Sequence, residues 1–82
     1  MKLEYSDRAL KDLKKIPRGK VKSIIRKIEL LPQSPYFGKK LGGKFAGFYS
    51  LRVWPYRVIY QVNKWPRIIW IVTVEHRQGV YK

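Results

Sequence analysis

The chain has 82 residues, enough for one domain spanning 1–82 and too few for a second core. Its apolar share of 45%, with three Trp, six Tyr and three Phe, excludes a disordered chain. Nineteen Lys and Arg against five acids give a net charge of +14, so the natural partner is a polyanion: nucleic acid first, then a strongly acidic protein, then an anionic membrane. With no Cys, one His and five acids, neither disulfides nor a metal or other cofactor is expected. The longest apolar run, Ile68 to Val74, is far shorter than the ~20 residues of a membrane span. The segment Met1 to Asp7 lacks the apolar core of a secretion signal, so a soluble, cytoplasmic protein is expected.

Leu3 and Tyr5 alternate with Lys2 and Glu4 as a short strand, and Ser6 is placed to cap a helix with Asp7 in its first turn. Ala9, Leu10, Leu13 and Ile16 fall on one face of that helix, which Pro17 and Gly19 end. Val21, Ile24, Ile25, Ile28 and Leu31 repeat the spacing in a second helix that stops before Pro32. The pair reads as an antiparallel helical hairpin whose apolar stripes need a sheet to cover them. Pro32 to Phe45, with two prolines and three glycines, reads as a basic loop carrying Lys39, Lys40 and Lys44. From Gly47 the period becomes two, and three antiparallel strands follow, separated by turns at Pro55 and at Asn63 to Pro66. The fold class is therefore α+β, one sheet with helices on one face.

Alternation sends Tyr49, Leu51, Val53, Val58, Tyr60 and Val62 toward the helices and collects Ser50, Arg52, Arg57 and Gln61 on the opposite face. Arginines on an uncovered sheet face, flanked by the lysines of the 39 to 44 loop, form a platform for phosphates. Arg52, Lys39, Lys40 and Lys44 are the candidate RNA-contacting residues. Directly after the third of these strands, His76 stands beside Arg77 and five residues before Tyr81. Attack of a ribose 2′-hydroxyl on the adjacent phosphate needs a proton acceptor, a donor for the leaving oxygen and cations on the phosphoryl oxygens. Histidine exchanges protons near neutrality, arginines hold phosphoryl oxygens bidentately, and a tyrosine stacks on a base. Arg57, Arg77, Tyr81 and His76 are the candidate catalytic residues.

The order strand, two helices, three strands carries four motifs: Lys40-Leu41-Gly42-Gly43; Gly47-Phe48-Tyr49-Ser50-Leu51-Arg52; Tyr56-Arg57-Val58-Ile59-Tyr60-Gln61-Val62; and His76-Arg77-x-x-Val80-Tyr81. Together they resemble the RelE/ParE superfamily of bacterial and archaeal toxin components over nearly the whole chain. The resemblance implies the toxin of a toxin–antitoxin pair and, for RelE-like members, a ribosome-dependent endoribonuclease acting on mRNA. It matches Arg57 to the strand arginine that holds the scissile phosphate. Arg77 matches an arginine that stabilises phosphate and leaving group, Tyr81 the tyrosine that orients the substrate base, and Arg52 a frequently basic neighbour. RelE carries two lysines on the strand before Arg57, one proposed as general base, where this chain has Phe48 and Ser50. His76 is then the expected proton acceptor and Lys44 a less well placed substitute. The implied partners are mRNA, the ribosome and a small acidic RelB-like antitoxin, with a heterotetramer as the implied assembly. A ParE-like toxin that inhibits DNA gyrase by binding, without nuclease chemistry, is the alternative, and a basic RNA-binding module ranks third.

Overall fold

In a computed structural model that describes residues 1–76, the order is β1 (Lys2–Tyr5), α1 (Asp7–Lys14), α2 (Arg18–Ile28), β2 (Lys39–Lys40), a single 3-10 turn (Gly43–Phe45), β3 (Phe48–Val53), β4 (Tyr56–Lys64) and β5 (Arg67–His76). The strands form one sheet in the order β1-β5-β4-β3-β2. β1 runs parallel to β5 and every other pair is antiparallel. The expected α+β architecture is the one observed. No helix among the described residues is long and apolar enough to cross a membrane.

Both helices supply the core on one face of the sheet. Ala9, Ile24, Ile28 and Leu31 are buried against Leu51, Val53, Val58, Tyr60, Ile69, Ile71 and Val74. These are the inward positions that period-two alternation assigns to β3 and β4. The boundaries differ from expectation in three places, the first being that α2 ends at Ile28 and Leu31 lies in the turn after it rather than in the helix. Pro17 and Gly19 do not end α1; α1 stops at Lys14, Pro17 caps the start of α2 and Gly19 lies in its first turn. Proline suits that position because its missing N–H would have no helical partner there. Lys39 and Lys40, read as loop, form the edge strand β2 opposite Ser50 and Tyr49. Both side chains are exposed, so no apolar alternation announces a strand held by backbone bonds alone.

The loop before β2 is tied down from the core. The buried Tyr60 hydroxyl accepts from the Gly38 amide at 2.9 Å and donates to the Pro35 carbonyl at 2.9 Å. Burial pushes the Tyr60 phenol above its ordinary value although the Gly38 amide pulls the other way. Gly38 is required by space, since a Cβ there would lie 2.7 Å from the Tyr60 hydroxyl and 2.9 Å from the Ser50 carbonyl.

One irregularity in the sheet decides what lies at the far end of β5. Tyr60 pairs with Ile71 but Ile59 pairs with Thr73, so Val72 is an extra residue, a β-bulge. A bulge leaves backbone groups without ladder partners, and side chains from the start of the chain satisfy them. Ser6 donates its hydroxyl to the Val72 carbonyl at 2.6 Å while accepting from the Ala9 amide at 2.9 Å, so one oxygen caps α1 and docks it to the bulge. Asp12 Oδ2 accepts from the Val74 amide at 3.0 Å and from the Thr73 hydroxyl at 2.8 Å, and its Oδ1 takes Arg8 Nε at 3.2 Å. Burial alone would raise the Asp12 carboxyl. The Val74 amide, the Thr73 hydroxyl and Arg8 outweigh it and hold the group below its ordinary value of 3.8.

Candidate functional site

The helix-free face of the sheet carries a row of charge across three strands. Arg52 of β3 lies directly opposite Arg57 of β4, and Arg57 lies directly opposite Glu75 of β5. Like charges in directly opposed positions destabilise a strand pair. Two arginines held there favour an anion that neutralises them. Arg52 is exposed, with its guanidinium 5.7 Å from the centre of the Trp54 ring. The Arg57 side chain is 27% exposed and the Glu75 side chain 34%. Their closest polar atoms, Nη2 and Oε2, are 4.0 Å apart, an ion pair too long to be a hydrogen bond. Arg57 Nε is buried without a hydrogen-bond partner.

Part of this face is roofed by the segment that follows β2. Leu41 and Phe45 close over Phe48, Ile59 and Val72, leaving a cavity of about 300 Å³ with Arg57, Thr73 and Glu75 at its polar edge. Phe45 and Phe48 meet edge to face at 6.4 Å. Ile59, buried but outside the main core, forms part of the wall. An apolar slot with a guanidinium and a carboxylate at its mouth accommodates a flat heterocycle next to a charged group.

The candidate site residues separate into distinct places. Arg57 and Arg52 are adjacent on the helix-free face. Lys39 joins Arg52 around a second, more open hollow of about 460 Å³ at the edge of β3, lined also by Lys27, Phe37 and Trp54. Lys40 and Lys44 are exposed nearby in chain order, on β2 and in the 3-10 turn, and neither lines the Arg57 cavity. His76 pairs with Tyr56 across the strands, one position on from the Arg57–Glu75 pair, so the alternation turns it to the opposite face of the sheet. Its ring stands edge-on to Tyr56 at 5.1 Å. Arg77 and Tyr81 lie outside the described residues. Phe48, at one of the two positions matched above to lysines of RelE, is a wall of the cavity, while Ser50 at the other is 8% exposed and lines the second hollow.

Glu75 is not among the candidate residues of the sequence, yet the fold sets it directly opposite Arg57. Its signal was legible: it is the only acid after Glu29. Among the described residues no cluster of three metal-ligating side chains occurs.

A family model described as the ParE toxin of the type II toxin–antitoxin system parDE matches residues 3–81. A Methanocaldococcus jannaschii protein that bears the name toxin RelE1 is 35% identical over 85 residues, covering 98% of this chain and 93% of that one. Among solved structures, a chain of the RelBE2 toxin–antitoxin complex of Mycobacterium tuberculosis superposes with a TM-score of 0.82 at 26% identity, over 93% of this chain and 96% of that one. A chain of the RelB–RelE antitoxin–toxin complex of Methanococcus jannaschii gives 0.75 at 29%, over 94% and 93%.

Proposed function

The chain belongs to the ParE toxin family of type II toxin–antitoxin systems, a RelE-like toxin, and we propose that it cleaves mRNA on the ribosome by 2′-hydroxyl transesterification. The observation that carries this reading is the Arg52–Arg57 row beside an apolar cavity on the helix-free face. Arg57, half-sunk at the cavity edge, holds the scissile phosphate, and its fixed charge stabilises the extra negative charge of the pentacoordinate phosphorus. The cavity takes the neighbouring base, which fixes the angle between the attacking 2′-oxygen and the phosphorus. Arg52, Lys39, Lys40 and Lys44 supply diffuse attraction to RNA phosphates, salt-sensitive and independent of sequence. Arg77 and Tyr81 complete the site in the roles that the family resemblance implies, leaving-group stabilisation and base orientation. In the cell the toxin is neutralised by a small acidic antitoxin, in keeping with the antitoxin complexes in which its structural relatives were solved.

The family model named for ParE also supports a second reading, inhibition of DNA gyrase by binding. Purified protein added to programmed ribosomes, with mapping of mRNA ends, and in parallel to a gyrase supercoiling assay, separates the two. The nuclease reading expects new 2′,3′-cyclic phosphate ends and unaffected supercoiling. Intact mRNA with blocked supercoiling would replace it with the second.

A further inference from the structure

Every proton-transfer scheme for 2′-hydroxyl attack needs a base on the same side of the sheet as the phosphate. Among the described residues that line the Arg57 cavity, one side chain is a Brønsted base, the Glu75 carboxylate. Phe48 and Ser50 stand where RelE carries lysines, and His76 is turned to the other face. We propose that Glu75 is the catalytic base, taking the proton of the ribose 2′-hydroxyl while Arg57 holds the phosphate that this oxygen attacks. The inference rests on the nuclease reading and deepens it.

Three observations favour chemistry over a merely structural salt bridge. A partly exposed ion pair at 4.0 Å contributes little to stability. The long separation leaves the carboxylate oxygens able to accept a hydrogen bond from a substrate hydroxyl. In a chain with no other acid between Glu29 and the end, a negative charge beside the phosphate-binding arginine weakens anion binding. A group that opposes binding yet sits at the reacting atoms is accounted for by a role in the transition state. The charged groups on the elements packed against this end of β5 are Arg57 of β4 and, past the strand edge, Asp12 of α1 with its partner Arg8.

The step balances without a co-reactant. The 2′-hydroxyl proton passes to a Glu75 carboxylate oxygen as the O2′–P bond forms. The P–O5′ bond then breaks with its electron pair going to O5′, which takes a proton from solvent. Glu75 returns its proton to solvent, and the products are a 2′,3′-cyclic phosphate and a 5′-hydroxyl.

The test is single-turnover cleavage on programmed ribosomes by the parent, Glu75→Gln and Glu75→Asp, with ribosome affinity measured alongside. Glu75→Gln should cleave at least about 10²-fold more slowly, with affinity equal to or tighter than the parent's. Glu75→Asp should recover part of the rate. A smaller loss in Glu75→Gln overturns the proposal and leaves the nuclease reading standing. So does a matched loss of affinity and rate, which would make Glu75 a prop for Arg57. A parent protein that binds ribosomes and cuts nothing overturns both.

Discussion

The two stretches of β5 on either side of Val72 obey the same alternation in opposite phase. Before the bulge, Ile69 and Ile71 point into the core; after it, Val74 does. Unbroken alternation from Ile69 would send position 75 to the helix-covered face and position 76 to the helix-free face. The bulge exchanges them, setting Glu75 opposite Arg57 and His76 opposite Tyr56. The first stretch is held by ordinary strand pairing on both sides, with β1 and β4. The second, beyond the end of β1, is held on its outer edge by side chains of Ser6 and Asp12. One stretch builds the core, and the other sets a carboxylate beside Arg57.

That contrast can be broken at the bulge's two supports. Asp12→Ala removes the acceptor for Thr73 and leaves the Val74 amide without its partner, at a cost of about 2 to 4 kcal/mol in thermal or denaturant unfolding. Because the folded state holds the Asp12 carboxyl below its ordinary value, the unfolded chain takes up its proton first as pH falls. The stabilisation is complete at neutral pH and is lost as pH falls below about 4, so the gap between parent and Asp12→Ala should narrow there. A gap of constant size from neutral to strongly acidic pH would show that the charge is not what matters. Ser6→Ala loses the α1 cap and the Val72 partner together, and its unfolding free energy should drop by about 1 to 2 kcal/mol. His76→Ala, acting on the other face, should slow cleavage far less than Glu75→Gln; the reverse order in single-turnover rates would put the working face on the wrong side of β5.

Much of this was legible in the residues. The 3.6-residue stripes through Ile24 and Ile28, and the alternation through Leu51 to Val53 and Val58 to Tyr60, mark positions where burial dictates the residue. They led directly to the helices, the strands and the helix-free face with Arg52 and Arg57. β2 was not legible, because two lysines held by backbone bonds carry no pattern. The bulge was hidden for a different reason. Ile68 to Val74 is apolar on both faces, so an inserted Val72 leaves no visible break in the alternation. Its supports, Ser6 and Asp12, sit more than sixty residues away in the chain. Without the phase shift, the alternation does not tell which of Glu75 and His76 shares a face with Arg57.

On the proposed nuclease reading, the helix-free face around Arg57 carries the chemistry while the dispersed lysines and arginines carry attachment. Measuring Arg57→Ala for single-turnover mRNA cleavage and ribosome affinity in the same preparation tests it most directly. The transition-state interaction lost should be about 2 to 4 kcal/mol in the cleavage step, with affinity nearly that of the parent. Equal losses in cleavage and binding, or cleavage at the parental rate, would contradict it.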